Sequence, residues 1–73
     1  MSKTYTVVIE QADGNFSAYV PDLPGCVSVG DTIDGCEAAI QEAIKGHLQV
    51  MRDEGLEIPE PRSVARQVEV ITA

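Results

Sequence analysis

The side chains of this sequence that could do chemistry are few and dispersed. Its one histidine, His47, has the chemistry of a general acid or base, or of a metal ligand. It stands one turn after Ala43 at the edge of an apolar stripe, with no second histidine and no Cys-x-x-Cys pair to help it. A metal site needs three or four ligands, so the pattern predicts a partly buried helix residue with a polar tip. Glu10 and Asp13 flank the first turn, Asp22 precedes a Pro-Gly turn, and Asp31, Asp34 and Glu37 crowd a helix start. Carboxylates on a sheet beside a helix start could hold a divalent metal for phosphodiester cleavage. That chemistry requires carboxylates converging from strand interiors, and the first strand offers only Glu10, on the face away from the helix. Asp31 and Asp34 have a simpler role at the positive end of the helix dipole. The glycines are scattered, so no phosphate loop is present. No catalytic residue, metal or cofactor is predicted.

The elements that would position these residues follow from periodicity. Tyr5 to Glu10 and Asn15 to Val20 are rich in β-branched and aromatic residues and read as strands. Asp13-Gly14 between them is the preferred dipeptide of a type I′ hairpin turn. That turn sets Ala12 opposite Asn15, Gln11 opposite Phe16, Ile9 opposite Ala18 and Val7 opposite Val20. Cross-strand partners share a face, so Tyr5, Val7, Ile9, Phe16, Ala18 and Val20 form the core face. Thr6, Val8, Glu10, Ser17 and Tyr19 form the other. Pro21 ends the second strand, Pro24-Gly25 turns the chain, and Cys26 to Gly30 reads as a third strand with Val27 and Val29 toward the core. Thr32 is the expected N-cap of an amphipathic helix over 33–54, closed by Gly55. The capping box is incomplete, because Gly35 stands where Glu or Gln would reach back. Gly46 inside the helix marks either a close backbone approach or simple tolerance. After the extended connector Ile58-Pro59-Glu60-Pro61, Gln67 to Ile71 reads as a last strand.

The predicted architecture is α+β in two layers, β-β-β-α-β, with sheet order 3-2-1-4 and one helix on one face. That strand order is akin to the front half of the ribonuclease H fold. One face of the sheet then lacks a second layer. Val8 and Tyr19 lie there and are the expected contacts of a homo-oligomer.

Composition bounds the function. Seventy-three residues make one domain over 1–73, and a core this small favours association with a partner. An apolar fraction of 44% is too high for a disordered chain. Twelve acidic against five basic residues, a net charge of −7, argue against direct binding to nucleic acid or to anionic membranes. The same charge speeds encounters with basic partners. With no signal peptide and no apolar run of spanning length, the chain is expected in the cytoplasm. There Cys26 and Cys36 are expected to be buried thiols rather than a disulfide.

One block remains: Tyr19-Val20-Pro21-Asp22-Leu23-Pro24-Gly25-Cys26, followed by Gly30-Asp31-Thr32, the helix with Glu42-Ala43-Ile44 and His47-Leu48, then Gly55 and Ile58-Pro59-Glu60-Pro61. This succession, spanning Tyr5 to Pro61, resembles the HicB-like antitoxin family. The resemblance implies a partial ribonuclease H-like fold without catalysis. It implies a partner too, a small basic HicA-like toxin that cleaves mRNA and whose active site the antitoxin covers. Family members often carry a C-terminal DNA-binding domain, which is not expected in a chain ending at Ala73. On this reading the partner surface is Tyr19 with the loop Asp22, Leu23, Pro24 and Gly25, where prolines lower the ordering cost of contact. Asp22 and Leu23 have no evident duty in the fold. The alternatives are a metal-dependent ribonuclease H-like nuclease, and a self-associating structural protein without a toxin.

Overall fold

The computed structural model describes residues 2–72. Three antiparallel strands, β1 (Val8–Ala12), β2 (Asn15–Tyr19) and β3 (Val27–Gly30), form a sheet in the order β1-β2-β3, and helix α1 (Ile33–Asp53) covers one face. The hairpin register is the expected one: Val8 opposes Tyr19, Ile9 opposes Ala18, and Ala12 opposes Asn15. The turn itself differs from type I′. Gly14 has φ +76°, and among the described residues no non-glycine residue has a positive φ. Asp13 therefore stays in the right-handed half of φ/ψ space, where its Cβ is not crowded, and glycine alone takes the left-handed position.

The core consists of Ala18, Val20, Leu23, Cys26, Cys36 and Ile40, with Tyr5, Val7, Ile9, Phe16, Ala43, Ile44 and Leu48 packed around it. The whole predicted core face of the hairpin is in this set. Three expectations change. Val27 and Val29 point away from the core, 65% and 63% exposed. Val20 N–H donates to the Cys26 carbonyl, and Tyr19 opposes Val27. Parity then turns Cys26 inward and Val27 outward. The second change concerns the sheet, which has three strands where four were expected. Gln67–Ile71 forms no strand, and Val68 is 80% and Ile71 93% exposed. A strand exists only through its ladder, and this segment has no neighbour to pair with. β1 also starts at Val8 instead of Tyr5. Beyond Tyr19 the facing chain gives its Val20 N–H to Cys26 and then reaches Pro21, which has no N–H to give.

The helix ends are closed by local chemistry. Thr32 Oγ1 accepts from Gly35 N–H at 2.9 Å. At the other end, Leu56 N–H donates to Met51 O and Gly55 N–H to Arg52 O, with Gly55 at φ +71°. Those are the two bonds of a Schellman motif. Gly30 lets β3 meet the helix start: a Cβ there would lie 2.6 Å from the Cys36 nitrogen. Gly35 is similarly close, its Cβ position 3.0 Å from Thr32 Oγ1. Gly46 faces open space, so no backbone approach explains it.

Candidate functional site

The loop between β2 and β3 is built from two successive β-turns. Leu23 N–H donates to Val20 O at 3.0 Å, and Cys26 N–H donates to Leu23 O at 3.1 Å. Pro21 and Pro24 each occupy the second position of a turn, where a fixed φ is favourable. Gly25, at φ +84°, takes the left-handed third position of the second turn. The residue where the turns meet, Leu23, is driven inward and is 1% exposed. Leu23 therefore has a structural duty, which corrects the expectation that it has none: it plugs the core beneath the loop. Its side chain is not on the surface, whereas Pro24 and Gly25 are.

Asp22 has a structural duty as well. Its Oδ2 accepts the backbone N–H groups of Arg62 and Ser63, both at 3.0 Å, and its Oδ1 accepts the Ser63 hydroxyl at 3.0 Å. These donors, led by the Ser63 and Arg62 amides, hold its carboxyl below the ordinary value of 3.8. Nothing local announces this role, since the partners lie about forty residues away in sequence. Cys26 and Cys36 are buried free thiols, and burial pushes the Cys26 thiol up, toward the unreactive neutral form.

Next to the double turn lies the sheet face that the helix does not cover. Val8, Tyr19 and Val27 are cross-strand partners in one row, and Glu10, Ser17 and Val29 form the next. Tyr19 is 42% exposed, Val8 half-buried. Tyr19, Val27 and Val29 help line a shallow depression of about 550 Å³. The face thus joins Val8 and Tyr19, expected from the sequence, to Val27 and Val29, which were not. The signal for the latter pair was the parity of Val20 and Cys26. An apolar, nearly uncharged face on a chain of charge −7 is equipped to bury surface against another protein.

Among the described residues no group of three or more His, Cys, Asp or Glu side chains could hold a metal ion. Both Asp22 oxygens are engaged by backbone and hydroxyl donors, and Glu10 is exposed at the open face. His47 is half-buried on α1. No helix among the described residues is long and apolar enough to cross a membrane.

Comparison with known proteins gives concordant results. Residues 5–71 match the family described as HicB-like antitoxin of bacterial toxin–antitoxin system. The chain is 31% identical over 64 residues to an uncharacterized 14.9 kDa protein of the rep–hol intergenic region of Haemophilus phage HP1, covering 88% of this chain and 48% of that protein. It therefore spans about half the length of the phage relative. It is 31% identical over 68 residues to a UPF0150 protein of Synechocystis, covering 92% of this chain and 86% of that one. A UPF0150 protein of Thermoplasma acidophilum is 36% identical over 56 residues, covering 75% and 81%. Among solved structures, the fold matches a chain of a HicA3 and HicB3 toxin–antitoxin complex. The TM-score is 0.70 at 28% identity, over 81% of this chain and 70% of that chain.

Proposed function

The chain belongs to the HicB-like antitoxin family of bacterial toxin–antitoxin systems, and from that premise we propose that it is a non-catalytic antitoxin domain that binds and masks a small, basic, mRNA-cleaving toxin of the HicA type. The observation that carries the proposal is the family match over residues 5–71. The fold likeness to a chain of a toxin–antitoxin complex supports it. The proposed contact surface is Tyr19 with Pro24 and Gly25, held in place by Leu23 below and Asp22 beside it, and bordered by Val8. Tyrosine suits such a role because it supplies large contact area with few rotatable bonds. Two proline-fixed turns reduce what the loop loses on binding. The charge of −7 attracts a basic partner at long range, while the apolar face supplies the short-range burial.

The test is co-expression with the product of an adjacent small basic reading frame, followed by co-purification and an RNA-cleavage assay. A complex that silences cleavage, and that Tyr19→Asp weakens at least tenfold, is the expected result. Absence of any complex with such a product removes the antitoxin reading.

A second reading, self-association through the open sheet face around Val8 and Tyr19, is favoured by the exposure of Val27 and Val29 beside them. The sheet order 3-2-1-4 of a partial ribonuclease H-like fold would need one more strand beside β1. No placement of side chains favours the nuclease reading.

A further inference from the structure

The connector that follows α1 is laced to the rest of the chain at residues 59–63. Lys3 Nζ donates to Glu60 Oε1 at 2.7 Å, Tyr5 O–H to Pro59 O at 2.6 Å, and Thr6 O–H to Ser63 O at 2.9 Å. The Arg62 and Ser63 bonds to Asp22 complete the lacing. Ser63 is its node. The N–H and the hydroxyl of this residue both donate to Asp22, while its carbonyl accepts from Thr6. Thr6 leads into β1 and Asp22 follows β2. Ser63 thus joins the two chains just beyond the last pair of their ladder, Val8 with Tyr19. Pro21 has no N–H with which to extend that ladder, and the connector supplies a cross-link from outside the sheet.

The same bonds bear on the double turn. Asp22 and Leu23 are neighbours that anchor the β2–β3 loop in two directions, Leu23 into the core and Asp22 onto the connector. The backbone bonds of the loop, Leu23 N–H to Val20 O and Cys26 N–H to Leu23 O, close each turn within itself. Asp22 has little left to offer a partner. Its oxygens already accept three donors, of the roughly four that a carboxylate can take. Ser63 is half-buried and lies outside the contact surface of Tyr19, Pro24 and Gly25. Neither residue needs to touch a partner to matter for binding at that surface.

We propose that Ser63, acting through Asp22, is a positioning residue for the partner: residues 59–63 form a strap that holds the β2–β3 loop in the conformation the partner binds. This rests on the antitoxin reading of that loop. A loop that is competent for only part of the time binds with its affinity reduced by that fraction. A strap closed beforehand removes the cost of ordering the loop on contact. The coupling is reciprocal, so a bound partner holds the strap shut, and the Arg62 and Ser63 amides exchange more slowly in the complex than in the free chain. Positioning is separable from charge. Asp22 carries one of the chain's twelve acidic groups, and its removal alters both attraction and position. Ser63 carries no charge, so its substitution leaves the attraction of a basic partner in place.

The experiment measures binding of the full chain to the purified product of an adjacent small basic reading frame, at low and high salt, with amide exchange on the free chain. Ser63→Pro removes both donors to Asp22. It should weaken binding by roughly fivefold or more, by the same factor at both salt concentrations. In the free chain it should speed exchange at Leu23 and Cys26 and spare the β1–β2 ladder. Ser63→Ala removes the hydroxyl bond alone, and should act in the same direction to a smaller extent even if proline disturbs the fold. Ser63→Thr keeps both donors and should bind as the wild type does. Asp22→Ala/Ser63→Ala should bind no more weakly than Asp22→Ala, because the strap is already open. Wild-type affinity in both Ser63→Pro and Ser63→Ala overturns the proposal. So do single losses that multiply in the double variant, a loss in Ser63→Thr as large as in Ser63→Ala, which would make Ser63 a direct contact, or a loss that vanishes at high salt. Each of these leaves the antitoxin reading standing, because the wild-type complex forms. No complex with the wild-type chain removes that reading and the proposal with it.

Discussion

Asp22 and Leu23 share one loop and face opposite demands. Leu23 fills the space under the double turn. Leu23→Ala should cost about 2–5 kcal/mol in chemical denaturation, because the surrounding turns are closed by hydrogen bonds and cannot collapse onto the cavity. Asp22 acts as a clamp on the connector. Asp22→Ala should leave the hairpin intact and speed amide exchange at Arg62 and Ser63, the two backbone groups it satisfies. Because its folded carboxyl is held below 3.8, its contribution is fully present above that value and is lost as pH falls through the lower folded one. Acid titration followed by exchange at these two amides should therefore show loosening only below about pH 3.8 in the wild type, and none in Asp22→Ala.

At the scale of elements, the glycines of the helix region separate cleanly. Gly46 touches nothing, so Gly46→Ala should raise stability by about 1 kcal/mol, the ordinary helix-propensity difference. Gly30 is the reverse case. Its missing Cβ lets β3 run against the first turn of α1, and Gly30→Ala should cost about 1–3 kcal/mol through overpacking against backbone that cannot move aside. Thermal unfolding of the two variants should shift in opposite directions. The N-terminal cap explains Gly35 in the same terms. A side chain there would crowd the Thr32 hydroxyl whose hydrogen bond starts the helix.

The whole molecule joins a strongly acidic charge to a mostly apolar sheet face, nearly uncharged apart from Glu10. Those two properties act at different stages of binding. If the partner is a basic toxin, raising ionic strength should slow association markedly. Tyr19→Ala should instead raise the dissociation rate and leave the salt dependence of association unchanged. Stopped-flow or surface-based kinetics at several salt concentrations separates the two. A salt-independent association rate would show that the charge serves solubility alone.

What was legible from sequence was what neighbouring residues settle among themselves. The hairpin register follows from Asp13-Gly14 and the alternation on either side of it. The bounds of α1 follow from Thr32, Gly55 and a 3.6-residue apolar period. The block from Tyr19 to Cys26 identified the family that the match over 5–71 established. The tertiary structure decided whatever depends on residues distant in the chain. Asp22 reads as a free carboxylate until Arg62 and Ser63, about forty residues later in the chain, reach it. Leu23 reads as a loop residue until two turns fold it under themselves. Val27 and Val29 read as core until the pairing of Val20 with Cys26 reverses their faces. Gln67–Ile71 carries the pattern of a strand, yet alternation specifies only which residues would share a face. Whether a strand forms depends on an edge to pair with, and that is a property of the assembled sheet, not of the segment.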